Sequence, residues 1–239
     1  MADTIQASTP SQTAPADALP RMTWEEFLAW VDEDTHAEWV DGQVILLYPP
    51  QETAPQEGRA MPSPATPRHQ RVHKFLVHLL EAYLSERPLG EVLYAPLLMR
   101  LPEKPSGREP DVLVLLDEHA DRLKDTYLDG PADIVVEIVS EDSQARDRGE
   151  KFTEYEAAGV TEYWLIDPLR QHADFYRLGA DGRYDRIDLA DDGRFHSAVL
   201  PGLSLDPAWL WRDPVPGLAE ALQWTGEMRR ERRRERRAE

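Results

Sequence analysis

The segment EPDVLVLLD, Glu109–Asp117, decides the fold because it places an acidic residue at the start of an unbroken apolar run. Val112–Leu116 is apolar throughout, which is the pattern of a strand covered on both faces. Pro110 cannot donate a ladder hydrogen bond, so it suits the first residue of a strand or the loop before it. Asp111 then lies where the strand begins, with its carboxylate free to point out of the end of the sheet. An isolated Pro-Asp pair is more commonly a solvated strand start, so the residues downstream decide its meaning.

The segment DIVVEIVSEDSQ, residues 133–144, places a charged residue in the middle of a second apolar strand. Alternation along the strand puts Val135, Glu137 and Val139 on one face. An unpaired buried carboxylate is costly, so Glu137 must be protonated, paired or bound to a cation. If this strand pairs with the one that begins at Asp111, the two carboxylates converge. Two carboxylates with a backbone carbonyl and waters suit Mg²⁺ or Mn²⁺.

The helix expected after this strand brings a lysine toward the same place. Phe152 and Tyr155 would face the core, and a helix packed back over the strand would aim Lys151 at the two carboxylates. There Lys151 would orient a water or stabilise charge that develops on phosphate. The alternative is a buried Glu137–Lys151 ion pair without catalytic purpose, and spacing alone leaves both interpretations open.

Helices and strands interleave along the chain, which predicts an α/β or α+β protein with a mixed sheet. The chain is expected to begin with a helix that has a capping box at Thr23 and Glu26, followed by a hairpin around Asp41–Gly42 and a helix over 68–86. Strands are expected next at 91–101, 111–117 and 133–139, and then a helix over about 143–158 that stops at Gly159. A strand at 162–167, an antiparallel meander over 172–205 and a helix from Val215 complete the prediction. We divide the chain into a disordered segment at 1–21, one domain at 22–212, and a C-terminal helix with an arginine-rich tail at 213–239.

Composition excludes several classes of protein. No cysteine is present, so disulfides, thiolate zinc sites and cysteine nucleophiles are excluded together. No apolar run approaches the roughly 18 residues of a membrane helix and no signal peptide opens the chain, so we expect a cytoplasmic protein.

The net charge of −18 argues against nonspecific affinity for DNA or anionic membranes. The last thirteen residues, EMRRERRRERRAE, carry net +3, which leaves −21 on the rest.

The ordered set of Pro110-Asp111, Glu137 and the segment KFTEYEAAGVTEYWLIDP, Lys151–Pro168, resembles the PD-(D/E)-x-K nuclease superfamily. More closely, it resembles the bacterial Uma-two family of restriction-endonuclease-like proteins, from roughly Thr23 to Leu210. The resemblance implies an α/β fold with a restriction-endonuclease-like core. In such a core a central mixed β-sheet is flanked by helices, here with an antiparallel C-terminal meander.

The resemblance also implies roles for individual side chains. Asp111 and Glu137 would be metal ligands, and Glu38 from the early hairpin would be a further acidic contributor. The chain departs from the superfamily pattern at Val139, where a lysine is expected two residues after the glutamate. In the family the lysine lies on the following helix, where it corresponds to Lys151.

These features favour a metal-dependent endonuclease that hydrolyses phosphodiester bonds of DNA, with Mg²⁺ or Mn²⁺ as cofactor. The acidic body favours the alternative, a catalytically silent interaction module on the same fold. A homodimer stays open, and the sequence does not decide between DNA and RNA.

Other candidate side chains have simpler explanations. His69 and His73 stand at i, i+4 spacing but match zinc motifs poorly, and we expect His69 to face solvent at the helix start. Asp147 lies one turn before Lys151 and can pair with it. Four tryptophans could stack on bases but are expected in the core: Trp24, Trp30, Trp39 and Trp164. The arginine tail is either a solvated helix end or a DNA contact.

Overall fold

The computed structural model describes residues 20–32, 35–47, 66–140 and 143–225. Its helices are α1 (Trp24–Trp30), α2 (Pro67–Glu86), α3 (Gln144–Arg148), α4 (Glu150–Ala158) and α5 (Ala208–Trp211), with a 3-10 helix at Asp117–Arg122 and helical residues at 218–225. Its strands are β1 (Ala37–Val40), β2 (Gln43–Leu46), β3 (Gly90–Tyr94), β4 (Leu98–Leu101), β5 (Ser106–Arg108), β6 (Val112–Leu116), β7 (Tyr127–Asp129), β8 (Ile134–Ile138), β9 (Glu162–Asp167), β10 (His172–Leu178), β11 (Tyr184–Ile187), β12 (Phe195–His196) and β13 (Ser204–Leu205). The arginine tail and all but the last two residues of the expected disordered segment lie outside the described residues.

A mixed sheet forms the centre of this part of the chain, with six strands in the order β11-β10-β9-β8-β6-β3. β8 and β9 run parallel, whereas the other neighbours run antiparallel. Helix α2 packs on one face of the sheet and helix α4 on the other, so each face has its own apolar core. The predicted central mixed sheet flanked by helices is therefore confirmed.

Helix α2 forms because its start is capped and its apolar residues share one side. The Thr66 hydroxyl accepts a hydrogen bond from the backbone N–H of His69, and Pro67 occupies the first turn, where no amide donor is needed. The apolar stripe is buried against the sheet and consists of Val72, Phe75, Leu76, Leu79, Leu80 and Tyr83. The amphipathic pattern therefore predicts both the helix and the face that it buries.

β6 and β8 pair with each other as the sequence predicts. They run antiparallel, with Val112 opposite Val136 and Val114 opposite Ile134. These side chains enter the core under α2, whereas Leu113 enters the core under α4. Because both faces are covered, the continuous apolar run Val112–Leu116 is required at this strand.

A second, five-stranded sheet in the order β2-β1-β5-β4-β7 lies in the N-terminal half of the described residues. β1 and β2 form the predicted hairpin, whose turn residues Asp41 and Gly42 both have positive φ angles. β5 pairs with β1 at Gly107, and a Cβ atom there would overlap the ring of Trp24. This glycine allows the indole to pack on β5, the strand that carries Arg108.

Two predicted elements are divided in the structure. The prediction of a single strand at 91–101 is wrong, because β3 joins the six-stranded sheet and β4 joins the five-stranded sheet. Pro96 lies between them and cannot donate a ladder hydrogen bond, which explains the break. The helix expected over 143–158 is interrupted at Gly149, between α3 and α4. Its predicted stop is confirmed, since Gly159 has a φ of 91° in the left-handed region.

The predicted meander over 172–205 is correct only for its first part. β10 pairs antiparallel with β9 and with β11, around the turn at Asp181–Gly182. β12 instead pairs with β13 in a separate two-stranded sheet. No helix among the described residues is both long and apolar enough to cross a membrane.

Candidate active site

Asp111 and Glu137 lie at the same end of two neighbouring strands. The last facing pair of β6 and β8 is Val112 with Val136, so Asp111 and Glu137 come next in register. Glu137 is buried and points to the α4 face, as strand alternation predicts. Oδ2 of Asp111 accepts a hydrogen bond of 2.7 Å from the backbone N–H of Ile138, which holds this carboxylate beside β8.

Lys151 connects three buried carboxylates. Its Nζ lies 3.0 Å from Oε1 of Glu137 and 3.0 Å from Oε1 of Glu38. Asp147, one turn earlier in the chain, lies 3.7 Å from the same ammonium, as its i, i+4 spacing predicts. Burial alone would lower the pKa of Lys151, but the three carboxylates raise it well above its ordinary value. Lys151 is therefore a fixed positive charge.

Glu137 is poorly compensated despite this lysine. Burial raises its pKa to about 8, Lys151 opposes the rise, and the like charges of Asp147 and Asp111 add to it. The hydroxyl of Tyr155 donates a hydrogen bond of 2.7 Å to Oε1 of Glu137. The carboxylates at this spot outnumber the cationic side chains, which is the condition under which a bound cation is stabilised.

Arg108 holds Glu38 in place from the opposite side. Its Nη1 donates a hydrogen bond of 2.8 Å to Oε2 of Glu38, which leaves Oε1 for Lys151. Its Nε and Nη2 donate two further bonds of 2.7 Å to Glu154 on α4. Burial would raise the pKa of Glu38, but Lys151 and Arg108 lower it to about 2. Glu38 is therefore ionised and fully paired.

Asp111 is the member of the cluster that solvent reaches, with 24% of its side chain exposed. Nε2 of His69 lies 3.5 Å from Oδ2 of Asp111, and Nε2 of His73 lies 3.0 Å from its backbone oxygen. His69 was expected to face solvent, and this is wrong because only 12% of its side chain is exposed. Burial would raise the pKa of Asp111, but His69 and the N–H of Ile138 lower it.

The residues present fit a divalent metal in part. Carboxylate oxygens are the ligands that Mg²⁺ and Mn²⁺ prefer, and Oδ1 of Asp147 is buried without a hydrogen-bond partner in the described structure. Across the described ranges, no group of three or more His, Asp or Glu has the arrangement that holds a metal ion. Asp111 and Glu137 would be the protein ligands of such a metal, and water would complete its coordination. A metal site at these two residues stays a prediction.

Sequence reasoning missed Arg108, Glu154 and the contact of Tyr155 with Glu137. β5 is only three residues long, so it shows no alternation that would mark Arg108 as buried. Tyr155 was expected in the core but without a polar partner. One signal was available. A buried phenol hydroxyl requires an acceptor, and Glu137 lies on the face of β8 that is covered by α4, the helix that carries Tyr155.

The mixed sheet, with acidic side chains and a lysine gathered at one end, defines a nuclease-like α/β fold. The model of the Uma2 (Uma-two) family, described as "Putative restriction endonuclease", matches residues 24–208. The chain therefore belongs to the Uma2 family. Among solved structures it is similar to "a putative nuclease belonging to DUF820 from Anabaena variabilis ATCC 29413", with a TM-score of 0.57 and 17% identity over 85% of this chain and 99% of that chain. At this identity the likeness shows a shared fold. No curated protein matches the chain.

Proposed function

We propose that the protein is a metal-dependent endonuclease that hydrolyses phosphodiester bonds of DNA. The observation that supports it is the facing position of Asp111 and Glu137 at the end of β6 and β8, with Lys151 in contact with Glu137. Membership of a family described as "Putative restriction endonuclease" adds independent support. In this proposal Asp111 and Glu137 bind Mg²⁺ or Mn²⁺.

Each side chain has a part that follows from its environment. A bound metal would polarise the scissile phosphate and lower the pKa of the attacking water. Because solvent reaches Asp111, a phosphate would approach from the side of this residue. Lys151 keeps its proton because of the carboxylates around it, so it supplies positive charge to the developing phosphate charge. Glu38, held by Arg108, fixes the position of that ammonium.

A specific observation favours the second candidate, a catalytically silent interaction module. Oε1 of Glu137 already contacts both Lys151 and Tyr155, so the protein compensates part of this charge without a metal. The net charge of −18 also opposes approach to a polyanion. In this alternative the carboxylates and Lys151 form a structural ion network.

Incubation of the purified protein with supercoiled plasmid, in Mg²⁺, Mn²⁺ or EDTA, separates the two functions. Nicking or linearisation that needs the metal and disappears in Lys151→Met supports the nuclease. Plasmid, single-stranded DNA and RNA that all stay intact under every condition support the interaction module, whether or not the protein binds Mn²⁺. Single-stranded DNA and RNA of the same sequence, assayed in parallel, test the choice of DNA. The cytoplasmic location and the homodimer stay predictions.

A further inference from the structure

A group of basic side chains gathers around two buried aspartates at the edge of the six-stranded sheet. We call it the arginine cluster; its members are Arg148, Arg170, His172 and Arg186, around Asp167 and Asp174. Asp167 ends β9 and Asp174 lies on β10, so antiparallel pairing of these strands brings the two carboxylates close. The motif is not continuous in sequence, because it draws on α3, β9, the following turn, β10 and β11.

The aspartates hold the arginines in fixed positions. Arg148 bridges both, with Nη2 3.3 Å from Asp167 and Nη1 3.3 Å from Asp174. Arg170 lies 3.0 Å from Asp167, and Arg186 lies 3.0 Å from Asp174. Two backbone N–H groups, from Leu169 and Arg170, also donate to Asp167. The carboxylates therefore stay anchored if one arginine is removed.

The outward surface of the cluster is positive although its charges are paired. The side chains of Asp167 and Asp174 are 0% and 7% exposed, whereas those of Arg170 and Arg186 are 59% and 56% exposed. Arg148 is exposed in part as well. A molecule that approaches from solvent meets guanidinium groups, while the anions lie behind them. Guanidinium groups held in this way suit phosphate oxygens, and they lose little entropy on binding.

The cluster lies on the same face of the sheet as the candidate active site. Asp167 follows Leu165 by two residues on β9, so both side chains point to the α4 face. Leu165 is directly opposite Glu137 in the parallel β8–β9 pair. Arg148 also precedes Lys151 by three residues in the α3–α4 segment. The positive surface and the buried lysine are thus neighbours on one face.

We propose that the arginine cluster binds the phosphate backbone of nucleic acid next to the active site. The inference rests on the proposed function, which supplies the polyanionic substrate. It also accounts for how a protein with a negative net charge could bind a polyanion, because such a protein needs a local positive surface to hold DNA. The contacts are to phosphates, so they add affinity without sequence preference.

The test measures binding of the full-length protein to a short fluorescein-labelled DNA duplex by anisotropy, in EDTA, across a salt series. The variant is Arg170→Gln with Arg186→Gln. The control with equal charge change is Arg87→Gln with Arg212→Gln, since both of these arginines lie on the α2 face beside Tyr83 and Trp224. Arg170→Lys with Arg186→Lys keeps the charge. Arg186→Gln alone serves if the double variant does not fold.

The cluster variant is expected to bind several-fold more weakly and to flatten the slope of log K against log salt by about 2, about 1 for each lost phosphate contact. The control and the lysine variant should keep the wild-type slope. An unchanged slope in the cluster variant, an equal loss in the control, or wild-type protein that does not bind the duplex would each overturn the inference. The anisotropy assay measures binding without cleavage. Plasmid that stays intact with every metal would therefore argue against the nuclease activity without changing the binding result for the arginine cluster.

Discussion

The Nζ of Lys151 lies 3.0 Å from Oε1 of Glu137, and both side chains are buried. The same geometry serves a structural network and a nuclease site, so the pair alone does not decide between them. The two differ in what happens when one partner is changed, because only the nuclease needs a cation and a phosphate at this spot.

Removing the carboxylate of Asp111 should weaken metal binding. Asp111→Asn is expected to lower the affinity for Mn²⁺ by at least about tenfold, since even indirect partners of a metal act on this scale. Isothermal titration calorimetry measures the change. Asp191→Asn, at an exposed aspartate, is the control. Equal affinity in wild type and Asp111→Asn would place the metal elsewhere.

Glu137→Gln should be neutral or stabilising at pH 7 in EDTA. The pKa of Glu137 is raised from 4.5 to about 8, so folding favours its protonated form. The wild type should therefore lose stability as the pH rises from about 4.5 to about 8, by at most about 1.4 kcal/mol per pH unit from this group. Urea unfolding across this range should give a flatter profile for the variant. A loss of several kcal/mol in EDTA would instead indicate a structural ion pair with Lys151.

Lys151→Met should abolish plasmid cleavage and leave Mn²⁺ affinity nearly unchanged. The substitution keeps most of the side-chain stem and removes the charge next to Glu137 and Glu38. Stability should fall by about 3–5 kcal/mol in EDTA, because buried carboxylates lose their partner. Circular dichroism confirms folding before the assay. Cleavage at the wild-type rate would assign the role to another residue.

Arg108→Met should be among the most destabilising single changes in the chain. Arg108 is completely buried and bonds Glu38 and Glu154, so its loss deprives Glu154 of this partner, leaves Glu38 with Lys151 alone, and costs about 3–5 kcal/mol. Urea unfolding measures the effect. Arg21→Gln breaks a pair with Asp41 in which both side chains are largely exposed, and should cost below about 1 kcal/mol. Similar costs in both variants would contradict the central place of Arg108.

Truncation after Glu227 tests the arginine tail. If the tail contacts DNA, the truncated protein should bind duplex more weakly and with a salt slope flatter by several units, at about 0.9 per phosphate. Metal binding and folding should not change. Equal affinity and slope would identify the tail as a solvated end or an oligomer contact.

Local patterns were sufficient for the elements with strong periodicity or clear end signals. The stripe of α2, the hairpin at Asp41–Gly42, and the two apolar strands β6 and β8 are all as predicted. The facing position of Asp111 and Glu137 followed from that pairing. Trp24, Trp39 and Trp164 are core residues as expected, but Trp30, at the end of its helix, is 40% exposed.

The remaining features depend on contacts between distant segments. Nothing in the run 91–101 shows that its halves join different sheets, because the choice is made by β6 on one side and β5 on the other. β5 and β7 have three residues each, too few to show alternation. The role of Arg108 could not be predicted for the same reason, and its acidic partners Glu38, Glu150 and Glu154 are 70, 42 and 46 residues away in the chain.

The position of Lys151 between Glu38 and Glu137 has a consequence for cooperativity. Glu38 belongs to the five-stranded sheet and Glu137 to the six-stranded sheet, so one ammonium group holds a carboxylate from each. Local opening of either sheet would remove one of the carboxylates that surround this buried ammonium group. Amide hydrogen exchange in β1 and in β8 should therefore proceed through one common opening, and the two sheets should behave as a single unfolding unit.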